Sequence, residues 1–471
     1  MNLASKYKAF AWTVLLSLVW LSGCEKYLEI PLPIDQLATE DVFSTKPTIL
    51  AAADGMYSNF GQGLLQAVYL RLTYHISDEG LIDPLPGTDM GELIRANMTE
   101  TNTFLVPWSY FYPSIYRANE ILERLPSVPA SVMADAEKKA LLGAAKYVRA
   151  ATHFTLANTW GDVPLTLTTD AQRNIENGRT PASEVYAAVI KDLEEAAADL
   201  PATVNTANSK TVHNRYQALA LLARVYLYQK NWAKAEAAAS EVIGSGQYQL
   251  VTAVNNVFKR GSREAIFSYG HTGTGLLYEN RAAVGWVTLP GSASQTTTSY
   301  CHIPSVVMSN FEPGDQRNVS GNWTINLFTK TFSNKYLYNS AASAATIAAN
   351  PQDFIYQRLA ELYLIRAEAR AQQNNLPGAA SDLNAIRTRA GLPNTAAATQ
   401  AELLAAVEKE RVCELFYEGH RWYDLKRTGR LNAVLSALPW KKDNYKPHME
   451  LLPIPATELI ANPRISQNPG Y

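Results

Sequence analysis

The chain has 471 residues, of which 42 are basic and 43 are acidic, so its formal net charge is only −1. This length is enough for a large hydrophobic core and exceeds the size at which a single core usually stops growing. No block of Lys or Arg breaks the charge balance, and nothing in the composition indicates nucleic acid as a partner.

The first 23 residues have the pattern of an export signal. Lys6 and Lys8 precede an apolar run of about 13 residues, Ala9–Leu21, which is too short to span a bilayer core that needs about 20. Two small residues and then Cys24 follow, as in bacterial lipoprotein signals, where the cysteine is acylated and the chain is cut before it. The sequence therefore predicts a signal peptide over 1–23 and a lipid anchor on Cys24. An ordinary secretory signal with an incidental cysteine is the alternative.

Residues 24–38 include two prolines and predict an extended tether, after which helical patterning begins at Thr39. The segment 78–107 has few apolar residues and predicts a loop. Apolar residues recur with helical spacing through most of the remaining chain. The predicted helices lie at 39–60, 108–125, 131–160, 180–200, 214–228, 231–244, 352–373, 377–390 and 401–417.

Two pairs of these helices predict helical hairpins. The helices at 214–228 and 231–244 are separated by about two residues and are rich in alanine, which lets the two backbones approach closely. Their pattern resembles a tetratricopeptide unit, and the same design returns at 352–373 with 377–390. The predicted fold is mainly α, with stacked tetratricopeptide-like helical hairpins.

The segment 248–349 differs from the rest of the chain. It is rich in Gly, Ser, Thr and Asn, has little helical period, and contains β-like runs at Ala265–Tyr269 and Trp286–Leu289. A stretch of about a hundred residues is too long for a simple connector. We therefore expect a large loop-rich, partly β insertion that carries the functional site on a rigid helical frame.

Three glutamates near the C-terminus could suggest catalysis. Glu410, Glu414 and Glu418 recur every fourth residue, and a carboxylate pair can serve as the acid and base of a glycosidase. The same spacing on a helix favours ion pairs with the arginines nearby. Structural ion pairs are the preferred interpretation.

Other reactive residues give weak signals. His75 precedes Asp78 and Glu79 and could form a proton relay, but a hydrogen-bonded surface group is the preferred interpretation. Cys301 and Cys413 are distant in sequence and predict separate buried thiols. No CxxC, HExxH, GxSxG or nucleotide-binding motif occurs, so no metal site and no cofactor are predicted.

Motifs distributed along the chain resemble the SusD/RagB family of nutrient-binding lipoproteins. The strongest runs from Glu410 to Arg427 and reads ERVCELFYEGHRWYDLKR. The other matching segments, in order, are Cys24 with the residues before it, 116–122, 146–150, 160–165, 215–228, 360–369, 383–391, 452–455 and 467–471. The resemblance covers nearly the whole chain.

This resemblance implies a helical domain over 39–471 with four tetratricopeptide-like units, outside the cell at the outer membrane. It also implies a protein that is not an enzyme, captures a glycan, and passes it to a SusC-like, TonB-dependent β-barrel transporter. Capture of peptides or another nutrient is an alternative within the family. A scaffold that binds only protein partners and a secreted hydrolase are alternatives outside it.

The ligand residues are chosen by location, because family members bind with variable loops that share no fixed motif. The chain has 25 Tyr and 9 Trp against 13 Phe, and such aromatic rings can cover sugar faces while hydrogen-bonding at their edges. Aromatic residues within helices are predicted to be core, namely Trp108, Tyr147, Tyr216, Tyr226, Trp232 and Trp422. The ligand candidates lie in loops and are Trp286, Trp323, Tyr278, Tyr300, Tyr336, Arg281, Asn322, Tyr74 and Asp78, with Asn280 as a further polar neighbour.

Trp286 and Trp323 are the foremost candidates. Replacing either with alanine is expected to weaken ligand binding by about 1–3 kcal/mol and to leave thermal melting unchanged, as for an exposed hot-spot aromatic residue.

Overall fold

The computed structural model describes residues 39–64, 67–83, 85, 87–203, 213–269, 301–337 and 349–471. The chain divides into a short unit, residues 1–49, and a large unit, residues 50–471. The signal peptide, Cys24 and the tether predicted from the sequence lie outside the described residues. The protein is predominantly α-helical, which confirms the predicted fold class.

The helices carry labels in chain order. They are α1 (Thr39–Val42), α2 (Lys46–Leu64), α3 (Ala67–Ile76), α4 (Asp89–Ile94), α5 (Pro107–Arg124), α6 (Asp135–Trp160), α7 (Ala171–Glu176), α8 (Ala182–Asp199), α9 (Arg215–Tyr228), α10 (Trp232–Gly244), α11 (Ser305–Met308), α12 (Leu359–Gln372), α13 (Leu376–Arg389), α14 (Gln400–Leu415), α15 (Arg421–Arg427), α16 (Leu431–Leu435) and α17 (Ala456–Ala461). The strands are β1 (Ala265–Tyr269), β2 (Thr324–Leu327), β3 (Lys330–Ser333) and β4 (Phe354–Arg358).

Neighbouring helices stack in sequence order. Helix α5 packs on α6, α6 on α8, α8 on α9, α9 on α10, α10 on α12, and α12 on both α13 and α14. The two predicted helical hairpins, α9 with α10 and α12 with α13, are confirmed. Buried alanines such as Ala223 and Ala239 allow the close approach of α9 and α10. Asn214 starts α9 with a capping box shared with Gln217.

The C-terminal part of the stack has its own apolar core. Side chains from α12, α13 and α14 meet there, including Leu364, Leu383, Ile386, Leu403 and Val407, each at most 1 % exposed. Burying one such side chain contributes about 1.5–3 kcal/mol. This core fixes the orientation of α12, α13 and α14, whose other faces carry the charged residues described below.

One predicted helix starts later than expected. The sequence predicted helix from residue 352, whereas Phe354–Arg358 forms β4 and pairs antiparallel with β1, so that Tyr269 lies opposite Phe354 and Ala265 opposite Arg358. Aromatic and β-branched residues in this run favour a strand, and a distant partner provides the hydrogen bonds. The segment 78–107 also holds the short helix α4 within its predicted loop.

The described part of the segment 248–349 contains a second hairpin. Strands β2 and β3 pair antiparallel, and Leu327 lies opposite Lys330. The two residues between them, Phe328 and Thr329, both have positive φ, as a tight two-residue turn requires. The predicted strand Ala265–Tyr269 is confirmed, and the predicted strand Trp286–Leu289 lies outside the described residues. Within the described ranges, no helix is long and apolar enough to cross a membrane.

Candidate ligand-binding site

The ligand candidates fall into two groups. Trp286, Tyr278, Tyr300 and Arg281, together with Asn280, lie outside the described residues. The structure describes the other candidates, which are Trp323, Tyr336, Asn322, Tyr74 and Asp78.

Trp323 is a core residue that precedes β2. Its side chain is only 1 % exposed, and its indole Nε1 donates a hydrogen bond to the Val254 carbonyl oxygen at 2.7 Å. Phe258 packs edge-on against the ring with centroids 5.5 Å apart, and Lys335 Nζ lies 4.6 Å from the ring centroid. This burial corrects the expectation of an open stacking face, because protein atoms already cover the ring.

Tyr336 also lies in the interior, at 1 % exposed. Its ring stacks on Phe354 with centroids 5.9 Å apart, and its hydroxyl accepts a hydrogen bond from the Ile355 backbone N–H at 3.0 Å. The residue therefore ties the end of the β2–β3 hairpin to β4. The sequence predicted that Tyr336 contacts the ligand. The structure corrects this, because both its ring and its hydroxyl are engaged by other parts of the protein.

Tyr74 and Asp78 are buried at the end of α3. The Tyr74 ring stacks on Tyr417 with centroids 4.5 Å apart. Asp78 accepts two hydrogen bonds from Arg421, at 2.9 and 2.8 Å. The two residues therefore hold the end of α3 against α15 and the segment before it, which corrects their placement in an open binding cleft.

Asn322 is the described candidate that reaches partly exposed space. Its side-chain amide donates to the Gln316 carbonyl oxygen at 2.7 Å, and it lines a cavity of 140 Å³ beside Trp323. Amide side chains dominate the polar wall of this amide-lined pocket, which comprises Asn255, Asn322, Asn334, Asn350 and Gln352. Amide groups both donate and accept hydrogen bonds, as the hydroxyl groups of a neutral sugar do. In this pocket the amide nitrogens of Asn322, Asn334 and Gln352 already donate to backbone carbonyl oxygens. Sequence reasoning missed four of these five residues, because asparagines in a loop-rich segment have no fixed spacing.

A buried ionic cluster lies directly beneath Trp323, and Glu414 is at its centre. The fully buried Glu414 carboxylate contacts Arg358 at 2.5 Å, Arg317 at 2.9 Å, and Arg389. Burial alone would raise the pKa of Glu414, but the three guanidinium groups outweigh it and hold that pKa well below its usual range. Arg358 and Arg389 also lie over the Trp323 ring.

The neighbouring glutamates are also ion-paired. Glu418 contacts Lys335 and Arg358, each at 2.6 Å, and Glu410 lies 2.6 Å from Arg317. The preference for structural ion pairs at Glu410, Glu414 and Glu418 agrees with this geometry. Each carboxylate is engaged by cationic side chains inside the protein, which is unlike the open acid and base pair of a glycosidase.

His75 was expected to be a hydrogen-bonded surface group, but it is buried, as are Asp78 and Glu79. His75 Nδ1 lies 3.4 Å from the Gly80 carbonyl oxygen and 3.8 Å from the sulfur of Cys301. Cys301 and Cys413 are separate buried thiols, as predicted. Among the described residues, no group of three or more His, Cys, Asp or Glu is placed to hold a metal ion.

Stability is expected to fall as the pH decreases from 7 to 5, because three buried histidines must gain a proton on unfolding. Burial lowers the pKa of His153 to about 3 and the pKa values of His213 and His420 to about 4. In the unfolded chain each histidine has a pKa of about 6.5, so between about pH 6.5 and about pH 4 the unfolded chain binds more protons than the folded protein. The free energy of unfolding therefore falls as the pH falls through this window, by up to about 1.4 kcal/mol per pH unit for each histidine.

Glu79 acts in the opposite direction, since burial raises its pKa to about 8, but one carboxyl offsets at most one histidine. Urea unfolding at pH 7 and pH 5 measures the effect. Equal free energies of unfolding at the two pH values would contradict it.

The geometry defines a helical-repeat scaffold of the kind used for binding, with a buried ionic core behind an amide-lined pocket. Residues 226–471, more than half of the chain, match the SusD family. Residues 89–227 match a family described as starch-binding and associating with the outer membrane. The chain therefore belongs to the SusD family, as its motifs predicted.

Three similar proteins match over most of their length, and a fourth matches over about a quarter of its length. A SusD-like protein of Formosa agariphila is 25 % identical over 99 % of this chain and 100 % of its own. A solved laminarin-binding SusD-like protein is 26 % identical, with a TM-score of 0.76 over 91 % of this chain and 100 % of its own. A surface glycan-binding protein from Bacteroides uniformis is 21 % identical, with a TM-score of 0.75 over 90 % of this chain and 99 % of its own, and shows the shared fold. The starch-binding protein SusD of Bacteroides thetaiotaomicron is 32 % identical over 28 % of this chain and 24 % of its own.

Proposed function

We propose that this protein is a cell-surface lipoprotein that captures a glycan and delivers it to a SusC-like, TonB-dependent transporter in the outer membrane. The observation that carries the proposal is the match to a laminarin-binding SusD-like protein along 91 % of this chain. The amide-lined pocket adds support, because its side chains suit the hydroxyl groups of a neutral sugar.

The anchor and the partner belong to the same proposal. Acylation of Cys24 would hold the chain at the outer membrane facing the exterior, and residues 24–38 would separate it from the lipid. The family description of association with the outer membrane supports this location. No cofactor takes part, and the protein acts by binding without chemical change to its ligand.

Ligand contact is proposed for Trp286, Tyr278, Tyr300 and Arg281, together with Asn322 at the rim of the amide-lined pocket. Trp323, Tyr336, Tyr74 and Asp78 are buried, so we assign them to the core and leave them out of the proposed ligand site. We expect loops to carry the specificity, because binding residues often lie on loops that a rigid scaffold positions.

Affinity gel electrophoresis tests the ligand class. Native gels cast with laminarin, starch or other glycans should retard the purified protein, whereas a panel of peptides should not compete. Retention by peptides alone would favour peptide capture. Binding to neither class, with stable association to a protein partner only, would favour the protein-binding scaffold.

Replacing Trp286 with alanine is expected to weaken binding of the retarding glycan by about 1–3 kcal/mol and to leave thermal melting unchanged. Trp232 on α10 is the matched control, because it is half-buried on a helix face and its replacement should lower melting without changing affinity. Calorimetric titration and thermal unfolding of both variants give the two readouts. An unchanged affinity in Trp286→Ala would remove this residue from the site.

A further inference from the structure

A second and larger cavity lies among α12, α14 and α15. Its volume is 380 Å³, within the range of about 300–1,000 Å³ that small-molecule sites occupy. It shares no lining residue with the amide-lined pocket. Leu404, Val412 and Leu415 form an apolar wall, and Arg411 and Glu79 supply polar groups.

Arg411 has unused hydrogen-bonding capacity in this arginine-lined cavity. Its side chain is only 3 % exposed, and its Nε donates to Asp424 Oδ2 at 2.7 Å. Its two terminal nitrogens, Nη1 and Nη2, find no acceptor among the described residues. A buried guanidinium with unsatisfied donors is costly, so its terminal nitrogens provide a strong driving force for an acceptor group.

Three carboxylates that line the cavity are already engaged. Asp424 accepts from both Arg411 and Arg427, and Glu368 accepts two hydrogen bonds from Arg427. Glu408 contacts Arg421 at 3.6 Å and also Arg430. Among the described residues of the lining, Asp424, Glu368 and Glu408 are therefore already ion-paired, whereas the terminal nitrogens of Arg411 have no acceptor.

Glu79 adds another donor at neutral pH. It is 1 % exposed, and its Oε2 has no hydrogen-bond partner among the described residues. Burial and the nearby Asp78 raise the pKa of Glu79 to about 8, although Arg421, Lys335 and the Tyr417 backbone N–H act in the opposite direction. The buried phenol of Tyr74 is close enough for Glu79 to help raise its pKa, after the larger effect of burial. Glu79 is therefore protonated below pH 8 and presents an O–H group.

We propose that this cavity binds a small monocarboxylate with an aliphatic body. The two carboxylate oxygens would accept hydrogen bonds from the Nη1 and Nη2 groups of Arg411, which form a planar fork suited to a carboxylate. The body of the ligand would lie against Leu404, Val412 and Leu415. This site is independent of glycan capture and stands whether or not that function holds.

Two other ligand classes fit less well. A neutral polyol brings O–H donors that would need acceptors, and three carboxylates of the wall are already engaged. A phosphate dianion would add two negative charges beside Asp424, Glu368 and Glu408. A monocarboxylate contributes only acceptors and a single charge.

The proposal is tested by titrating the full-length chain, kept in detergent, with three probes. The probes are propionate, propionamide and inorganic phosphate. Propionate should bind at least about tenfold more tightly than either other probe, a difference of about 1.4 kcal/mol. Its affinity should fall as the pH rises past about 8, where Glu79 ionises. Equal binding of propionamide, tighter binding of phosphate, or no binding of propionate would each overturn the proposal.

Variants then locate the site. Ala405 is an exposed residue of the cavity lining, so Ala405→Trp should fill the cavity and abolish propionate binding without lowering the melting temperature. Ala401→Trp, one turn earlier on α14 and outside the cavity lining, is the control that should bind normally. Glu79→Gln removes the group that ionises near pH 8, so the affinity of this variant for propionate should not change as the pH rises past 8. Full binding by Ala405→Trp would show that propionate binds elsewhere and would overturn the assignment.

Discussion

Replacing Glu414 with alanine is expected to lower the free energy of unfolding by about 3–5 kcal/mol, because the change leaves buried arginines without their shared anion. Arg317, Arg358 and Arg389 all contact this carboxylate, and all four side chains are at most 4 % exposed. Removing a buried charge from one side of such a cluster costs much more than breaking a surface pair. Urea unfolding at pH 7 measures the loss.

Two further variants make this test specific. Glu414→Gln keeps the shape of the side chain and removes its charge, so it should also be strongly destabilising. Glu241→Ala removes a glutamate paired with Arg215 at the surface, where the side chains are 47 % and 37 % exposed, and should cost at most about 1 kcal/mol. A stability of Glu414→Ala close to that of Glu241→Ala would contradict the role assigned to the ionic cluster.

Replacing Trp323 with alanine is also expected to destabilise the protein, by about 3–5 kcal/mol. The change removes a buried indole, its hydrogen bond to Val254, and the ring over which Lys335, Arg358 and Arg389 lie. Any loss of glycan affinity in this variant should therefore come with lower thermal melting. This outcome differs from the unchanged melting expected from the sequence.

Phe328→Ala is the matched control for Trp323, since Phe328 lies on the same hairpin and is 49 % exposed. Its replacement should change the free energy of unfolding by no more than about 0.5 kcal/mol. Thermal unfolding of both variants, followed by circular dichroism, provides the comparison. Normal melting of Trp323→Ala would mean that the ring does not support the core as described.

Local patterns predicted the helical frame well. The apolar spacing of α9 and α10 and the short turn between them are properties of neighbouring residues, and the structure has both helices within one residue of the predicted bounds. Strand β4 was missed because its pairing with β1 depends on residues about ninety positions earlier. A short apolar run is compatible with either a helix or a buried strand, and only the position of a distant partner strand decides between them.

The candidate site was less predictable for the same physical reason. The spacing of Glu410, Glu414 and Glu418 indicated ion pairs, but the partners of Glu414 lie 97, 56 and 25 residues away in sequence. Trp323 lies in a loop-rich segment, and loop composition does not show whether a ring points outward or inward. Its burial depends on Val254 and Phe258, which the fold brings beneath the hairpin.

The most direct test of glycan capture without catalysis is a calorimetric titration followed by analysis of the same sample. The purified protein is titrated with the glycan that retards it in gels, and the recovered glycan is then separated by size. We predict saturable binding and recovery of the glycan at its original length after prolonged incubation. Shortened products would identify a hydrolase, and the absence of binding to any glycan would contradict the proposed function.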